Sequence, residues 1–314
     1  MRSGTVRLGL SGWAYPQWRG HFYPKGLRQS DELAHAASCF PALEINATFY
    51  GPQRPRVFDR WAAATPEDFV FAVKAPRLIT HDRRLRSVEA PLAEFFAAGL
   101  LRLGGKLGPL LWQLPPSLPF DAGRMRDFLS LLPRDTEAAA AMAGQPAAEP
   151  NLLDEPPPVR RRLRHAIEVR HDSFRDPAFI RLLREQDIAL VCADTPRWPR
   201  LMDVTSDFVY CRLHGSPELY RSGYDDWQLQ RWAGRIAAWS RGEAIDDGEF
   251  ASDDQAPDRP RDVFLFFDNT DGLHAPDDAL ALIRALGNDV PMASGTAAGF
   301  TAFTPDPPAD EAGQ

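Results

Sequence analysis

The sequence predicts a (β/α)8 barrel of the TIM type, and three observations carry that expectation. Eight apolar, β-branched or aromatic runs alternate with segments of helical period. Nearly all are joined by short links, the pattern of repeated βα units around a parallel sheet. The alternative, a doubly wound open sheet, wants a glycine-rich phosphate turn after its first strand, and GLSGWAYPQW lacks that spacing.

In chain order the strand runs are Val6 to Leu10, Leu43 to Asn46, Phe69 to Lys74, Leu110 to Leu114, His165 to Arg170, Ile188 to Ala193, Phe208 to Leu213 and Val263 to Phe267. Helical segments lie between them at Ser30 to Ala37, Val57 to Ala64, Val88 to Leu101, Met125 to Leu132, Pro177 to Glu185, Trp227 to Trp239 and Asp277 to Leu286. Several carry helix-start chemistry: Ser30 followed by Asp31 and Glu32, Asp121 ahead of the fourth helix, and Asp176 before a first-turn Pro177. Between the sixth and seventh runs, Pro196 and Pro199 leave little room for a helix. The barrel is expected over residues 1–290, with flexible surface insertions at about 135–160 and 241–260 and a C-terminal tail at 291–314. The first insertion is rich in Ala and Pro and the second is acidic, so neither can bury enough apolar surface to fold alone.

Composition narrows the class. With 44% apolar and 25% charged residues, the chain reads as a soluble globular protein. MRSGTVRLGLSG lacks the apolar core and cleavage site of a secretory signal, and nowhere do about 18 uncharged apolar residues run together. The expected location is cytoplasmic, with no membrane partner. Cys39, Cys192 and Cys211 are far apart and form no CxxC, which favours free thiols over disulfides or a zinc site. The net charge of −7 is local: residues 135–160, 241–260 and 301–314 together carry −12, which leaves +5 on the rest.

In such a barrel the chemistry sits at the C-terminal ends of the strands, so the polar residues there are the candidates. Leu43 to Gly51, LEINATFYG, is the most informative stretch, because Glu44 and Asn46 alternate onto the same face and a polar inner face is costly unless used or paired. Thr48 and Tyr50 follow. The other ends supply Trp13, Lys74, His81, Gln113, Glu168, Arg170, His171, Asp194, Arg212, His214 and Asn269, and Ser11, Thr80, Asp268 and Thr270 also stand at strand ends without an assigned role. Glu44 and Glu168 come from different sides of the barrel, as a general acid and base would. An equally open reading pairs Glu44 with Lys74 and Glu168 with Arg170 or Arg212 as interior ion pairs. His214 suits proton transfer near neutrality. Lys74, Arg170 and Arg212, with further arginines after the third, sixth and seventh strands, make the mouth electropositive and point to an anionic ligand. No HxH, HExxH or GxSxG is present, so no metal site or serine nucleophile is assigned.

GLSGWAYPQWRGHFYP, LEINATFYGPQRPRVFDRW, TPEDFVFAVKAPRLITH, KLGPLLWQLPPS, AIEVRHDSF, FVYCRLHG and FLFFDNT together resemble successive blocks of the YecE-like family, domain of unknown function 72. The blocks follow the family's order from about residue 7 to residue 286. The resemblance implies a TIM-type barrel and carries over, as motif positions, the fifteen residues from Trp13 to Asn269 named above. It implies no settled reaction and leaves the cofactor unknown. DGLHAPDDA, after Thr270, matches the family's closing block only loosely.

The expected function is therefore an enzyme binding a phosphorylated or otherwise anionic, sugar- or nucleotide-like ligand at the barrel mouth. Glu44, Glu168 and His214 would move protons. Lys74, Arg170 and Arg212 would hold the anion, Asn46 and Asn269 would orient hydroxyls, and Trp13, Thr48, Tyr50, His81, Gln113, His171 and Asp194 would complete the ligand site. The alternatives are a metal-dependent, nucleic-acid-directed barrel of repair-nuclease type and a non-catalytic anion-binding scaffold.

Overall fold

In the computed structural model the described residues are 3–144, 160–215 and 218–287. Strands β1 (Val6–Ser11), β2 (Ala42–Ile45), β3 (Val70–Lys74), β4 (Leu107–Gln113), β5 (His165–Glu168), β6 (Ala189–Asp194), β7 (Phe208–Leu213) and β8 (Asp262–Phe267) pair in sequence order and close into a barrel. Every pairing is parallel, and β8 returns to β1. The described α-helices are α1 (Glu32–Cys39), α2 (Ala47–Tyr50), α3 (Pro55–Ala63), α4 (Glu89–Ala97), α5 (Ala122–Leu131), α6 (Thr136–Met142), α7 (Pro177–Glu185), α8 (Asp226–Arg241) and α9 (His274–Leu286). The predicted (β/α)8 barrel is thus the observed fold. After β6 the chain reaches β7 without a helix, as its two prolines predict, and makes an isolated bridge from Leu201 to Glu249 on the way.

Both faces of each strand are buried, which is why the strands read as continuous apolar runs. The inner face is a separate cluster in which Ala72 and Ala166 leave room for Phe208, Phe264 and Phe266. The outer face packs on the helices around Trp112, Trp239 and Phe128. One inward position tolerates no side chain. A Cβ on Gly9 would lie 1.8 Å from the backbone oxygen of Ala42, its partner across the β1–β2 pairing. Gly9→Ala must push two backbones apart, and it is expected to lower stability by about 1–3 kcal/mol, read as a lower urea midpoint at unchanged slope. An unmoved midpoint would show that the strands separate freely there.

The 241–260 segment is tied to neighbouring loops and to α8 by specific bonds. Met202 N–H donates to the Glu249 carbonyl at 2.8 Å, and the Asp203 carboxylate accepts from Ala251 and Ser252 N–H at 2.8 and 3.1 Å. Asp247 pairs with Arg231 and Arg235 of α8 at 2.5 and 2.9 Å. Its acidity answers cations distant in sequence, which composition does not register. Of the first insertion, Asp135 caps α6 by accepting from Ala138 N–H at 2.8 Å. Residues 145–159 and the 291–314 tail lie outside the described residues. Among the described residues no helix is long and apolar enough to cross a membrane.

Candidate functional site

Period-two alternation carries the inner face upward into a polar layer. Ser11 follows Gly9, Glu44 follows Ala42, Lys74 follows Ala72, Glu168 follows Ala166, Arg212 follows Tyr210, and Asp268 follows Phe266. Arg212 is the hub of this layer. Its Nε and Nη2 hold the Glu44 carboxylate at 3.1 and 2.9 Å, and its Nη1 holds Glu168 at 2.7 Å. Nη2 also reaches Asp268 at 3.1 Å and the Ser11 hydroxyl at 3.0 Å. Ser11 and Tyr210 donate hydroxyl protons to Glu44 at 2.5 and 2.6 Å, and Asn46 donates to Ser11 at 3.0 Å. Glu168 is shared with Arg170, whose Nη2 lies 2.6 Å away.

These contacts set the charge states. Burial alone would raise the Glu168 carboxyl, but Arg170 and Arg212 outweigh it and hold the group well below the usual carboxylate range. Asp268 behaves likewise: burial opposes its charge, and Arg212 with His214 overrides that. Burial also works against the Arg212 cation, yet Asp268, Glu44 and Glu168 push its pKa well above normal. Glu168 and Asp268 are therefore fixed charges rather than proton carriers at neutral pH.

The groups free to titrate are different ones. Burial lowers the His214 imidazole, against the pull of Asp268. His214 Nδ1 lies 2.8 Å from Asp268 Oδ2 but out of line for a hydrogen bond, and Nε2, 3.8 Å from Glu168, has no hydrogen-bond partner among the described residues. The ring sits between Trp198 and Tyr220, with centroids 5.4 and 5.5 Å away. Burial, reinforced by Arg212, brings Lys74 down to about 8. Its ammonium packs 4.3 Å from the centre of the Phe49 ring and forms no ion pair among the described residues. His81 lies in a π-helical turn, Leu78–Asp82. Burial, then Arg77 and Lys74, lower it to about 4, so it is neutral and accepts from Gln113 Nε2 at 3.4 Å.

Only an edge of this layer reaches solvent. Lys74 is 8% exposed, and the side chains of Arg170 and Asp268 are 10% and 11% exposed. The Arg170 guanidinium lies over Trp198 at 4.0 Å and donates to the Tyr220 hydroxyl at 3.3 Å. Of five described non-glycine residues at positive φ, four lie on loops at this end: Arg84, Leu85, Ser87 and Tyr220. Strained backbone of that kind concentrates at functional sites. A cavity of about 300 Å³ lies instead at the opposite end, beside Arg7, Arg162, Arg164 and Asp262. There Arg162 and Arg164 are matched by Asp187, Asp207 and Asp262. That face reads as structural, and the titratable groups at the mouth outweigh the volume below.

Residues 7–299 match a family described as protein of unknown function DUF72. The chain belongs to the DUF72 family. It is 30% identical over 129 residues to UPF0759 protein YecE of Escherichia coli (strain K12), covering 41% of this chain and 44% of that protein. It is 32% identical over 116 residues to UPF0759 protein YunF of Bacillus subtilis (strain 168), covering 35% and 40%. The alignments thus span less than half the length of these curated relatives. A DUF72 family protein from Thermotoga maritima MSB8 shares the fold, with a TM-score of 0.67 at 24% identity over 90% of this chain and 99% of that one. A second, from Enterococcus faecalis V583, has a TM-score of 0.65 at 18% identity over 90% and 95%.

In this DUF72 barrel the sequence-derived candidates divide cleanly. Glu44, Asn46, Glu168, Arg170, Arg212 and His214 come together in the polar layer, and Lys74, His81 and Gln113 adjoin it. Arg212 spends four of its five N–H donors on protein groups and is buried. The open ion-pair reading resolves as Glu168 with both arginines and Glu44 with Arg212 rather than Lys74. Asp194 faces outward to Arg200 at 2.9 Å and Trp232 at 3.3 Å, and Asn269 donates to Asp278 of α9 at 2.8 Å. Thr48 ties the Lys74 carbonyl at 2.7 Å, Tyr50 projects to solvent, and Trp13 packs edge-on against Trp61. His171 accepts from Ser173 N–H at 3.2 Å and shapes a short turn. Sequence reasoning placed Ser11 and Asp268 at strand ends without giving them a role, and left out Tyr210 and Trp198 altogether. Two-residue spacing from Arg212 and Phe266 is the signal that points to Tyr210 and Asp268.

Proposed function

We propose that this protein is an enzyme acting on a small anionic, sugar- or nucleotide-like ligand at the C-terminal mouth of its barrel. One observation carries the reading. In a layer where three carboxylates are locked to arginines, Lys74 forms no ion pair and the Nε2 of His214 has no hydrogen-bond partner among the described residues. Fixed charges surrounding unpartnered, titratable groups are the arrangement that electrostatic preorganisation requires. Arg212 acts as the organiser, Lys74 with the free edge of Arg170 faces the anion, and His214 carries a proton. Glu44 and Glu168 act as preorganised charges, which revises the proton-moving role their sequence positions suggest.

Thermal unfolding with a panel of phosphate, sugar phosphates, nucleotides and carboxylates tests this reading. A ligand at about 100 times its Kd adds about 2.7 kcal/mol of stability, which a melting curve resolves readily. At least one anion is expected to raise the Tm of the wild type, and Lys74→Ala to remove that shift. A panel that leaves the wild-type Tm unmoved overturns the reading.

A further inference from the structure

The chain contains 3 lysines and 33 arginines. Guanidinium is the usual cation of this chain, so a buried lysine stands out. Lys25 is exposed. Lys106 uses a tetrahedral ammonium to donate to the Ala62 and Thr65 carbonyls, at 2.5 and 2.7 Å, and to the Thr65 hydroxyl at 3.2 Å. Lys74 makes no such bonds. An arginine in its place would bring donors to a layer whose carboxylates are already committed, and it could never lose its proton.

The position of Lys74 suits a reacting group. It ends β3 on the inner face, and its backbone is pinned on both sides, by Thr48 Oγ1 donating to its carbonyl at 2.7 Å and by Ala75 N–H donating to the Leu111 carbonyl at 2.9 Å. Phe49 walls one side of the amine, and solvent reaches it only at the mouth. We infer that Lys74 is a nucleophile whose amine condenses with the carbonyl of an aldehyde or ketone bearing an anionic group, such as an open-chain sugar phosphate or a 2-oxo acid. This inference rests on the mouth being the ligand site, as proposed above.

The step balances without a metal or an oxidant. The amine lone pair forms a bond to the carbonyl carbon while one N–H proton passes to the carbonyl oxygen, giving a carbinolamine. The hydroxyl then leaves with the second amine proton as water, and a C=N bond remains. The charged and titratable groups acting on the amine are Arg212 of β7, Asp268 after β8, Glu44 of β2, Glu168 of β5 and His81 of the loop after β3. With the group at about 8, about one amine in ten is unprotonated at pH 7.

The test is reductive trapping on the full chain. The protein is incubated with glyceraldehyde 3-phosphate or pyruvate and sodium cyanoborohydride, and the adducts are mapped by mass spectrometry with Lys25 and Lys106 as internal standards. Lys74 is expected to be labelled at least tenfold faster than Lys25, with a rate that rises through about pH 8, and Lys74→Arg to lose the adduct while remaining folded. Labelling of Lys74 no faster than Lys25 with both carbonyl compounds overturns the inference. If anions still raise the Tm in that case, the imine alone falls. If no anion raises the Tm, the mouth reading falls with it.

Discussion

Arg212→Met is expected to destabilise the protein by about 3–5 kcal/mol, because it removes a cation that contacts three buried carboxylates at once. Arg212→Lys should recover little, since a single ammonium cannot reproduce a fork that meets Glu44 along one edge and Glu168 at the other. The pH dependence supplies a signature. In the wild type Glu168 and Asp268 have depressed pKa values. Their contribution to stability is present above their unfolded values, near pH 4, and is lost as the pH falls below them. In Arg212→Met, Glu168 keeps Arg170 but Asp268 loses the charge that chiefly offsets its burial, so the Asp268 carboxyl rises and the variant should gain stability on acidification from pH 7 to 5. Urea midpoints across that range decide the matter. A variant as stable as the wild type at pH 7 would show that the layer tolerates uncompensated charge and that Arg212 is no organiser.

Lys74→Met is expected to do the opposite and stabilise the protein by about 1–3 kcal/mol at pH 7. Burial brings the folded-state pKa of Lys74 down to about 8, below the unfolded value of about 10.4. Below pH 8 both states are protonated and the whole penalty of burying the cation is felt. As the pH rises from 8 towards 10.4 the folded protein gives up its proton first and the penalty fades. The advantage of Lys74→Met should therefore be widest at or below neutrality and shrink by pH 10. Paired melting curves at pH 6, 8 and 10 measure it. A less stable Lys74→Met at pH 7 would mean that this ammonium serves the fold through its carboxylate neighbours. A more stable variant that no longer responds to anions would mark a residue retained for function at the expense of stability.

Much of the barrel was legible because its strands are buried on both faces and so stand out as apolar runs. The run at Phe208 to Leu213 and the helix at Pro177 to Glu185 coincide with β7 and α7. The same double burial hid half of the site. When inward and outward residues are both apolar, the run does not say which face is which, and a strand's last residue can turn either way. That is why Asp194 and Asn269 looked like mouth residues although they face α8 and α9, and why Asp268, named as a strand end beside Asn269, was given no role. At Thr48 and Tyr50 the alternation had already lapsed, because β2 ends at Ile45 and α2 begins two residues later. The choice of Arg212 over Lys74 as the partner of Glu44 lay beyond sequence altogether, since β7 faces β2 across the barrel and is not its neighbour in the sheet.

The Arg212 fork joins residues 168 and 201 positions apart in the chain, at Glu44 and Ser11. Contacts of such long sequence separation close late and slowly during folding. Until β7 is synthesised and docked, any nascent sheet that holds Glu44 buries its carboxyl without a guanidinium, and Glu168 has only Arg170. Partly assembled barrels are thereby penalised as resting states, and the ion cluster that shapes the mouth also enforces all-or-none acquisition of the structure.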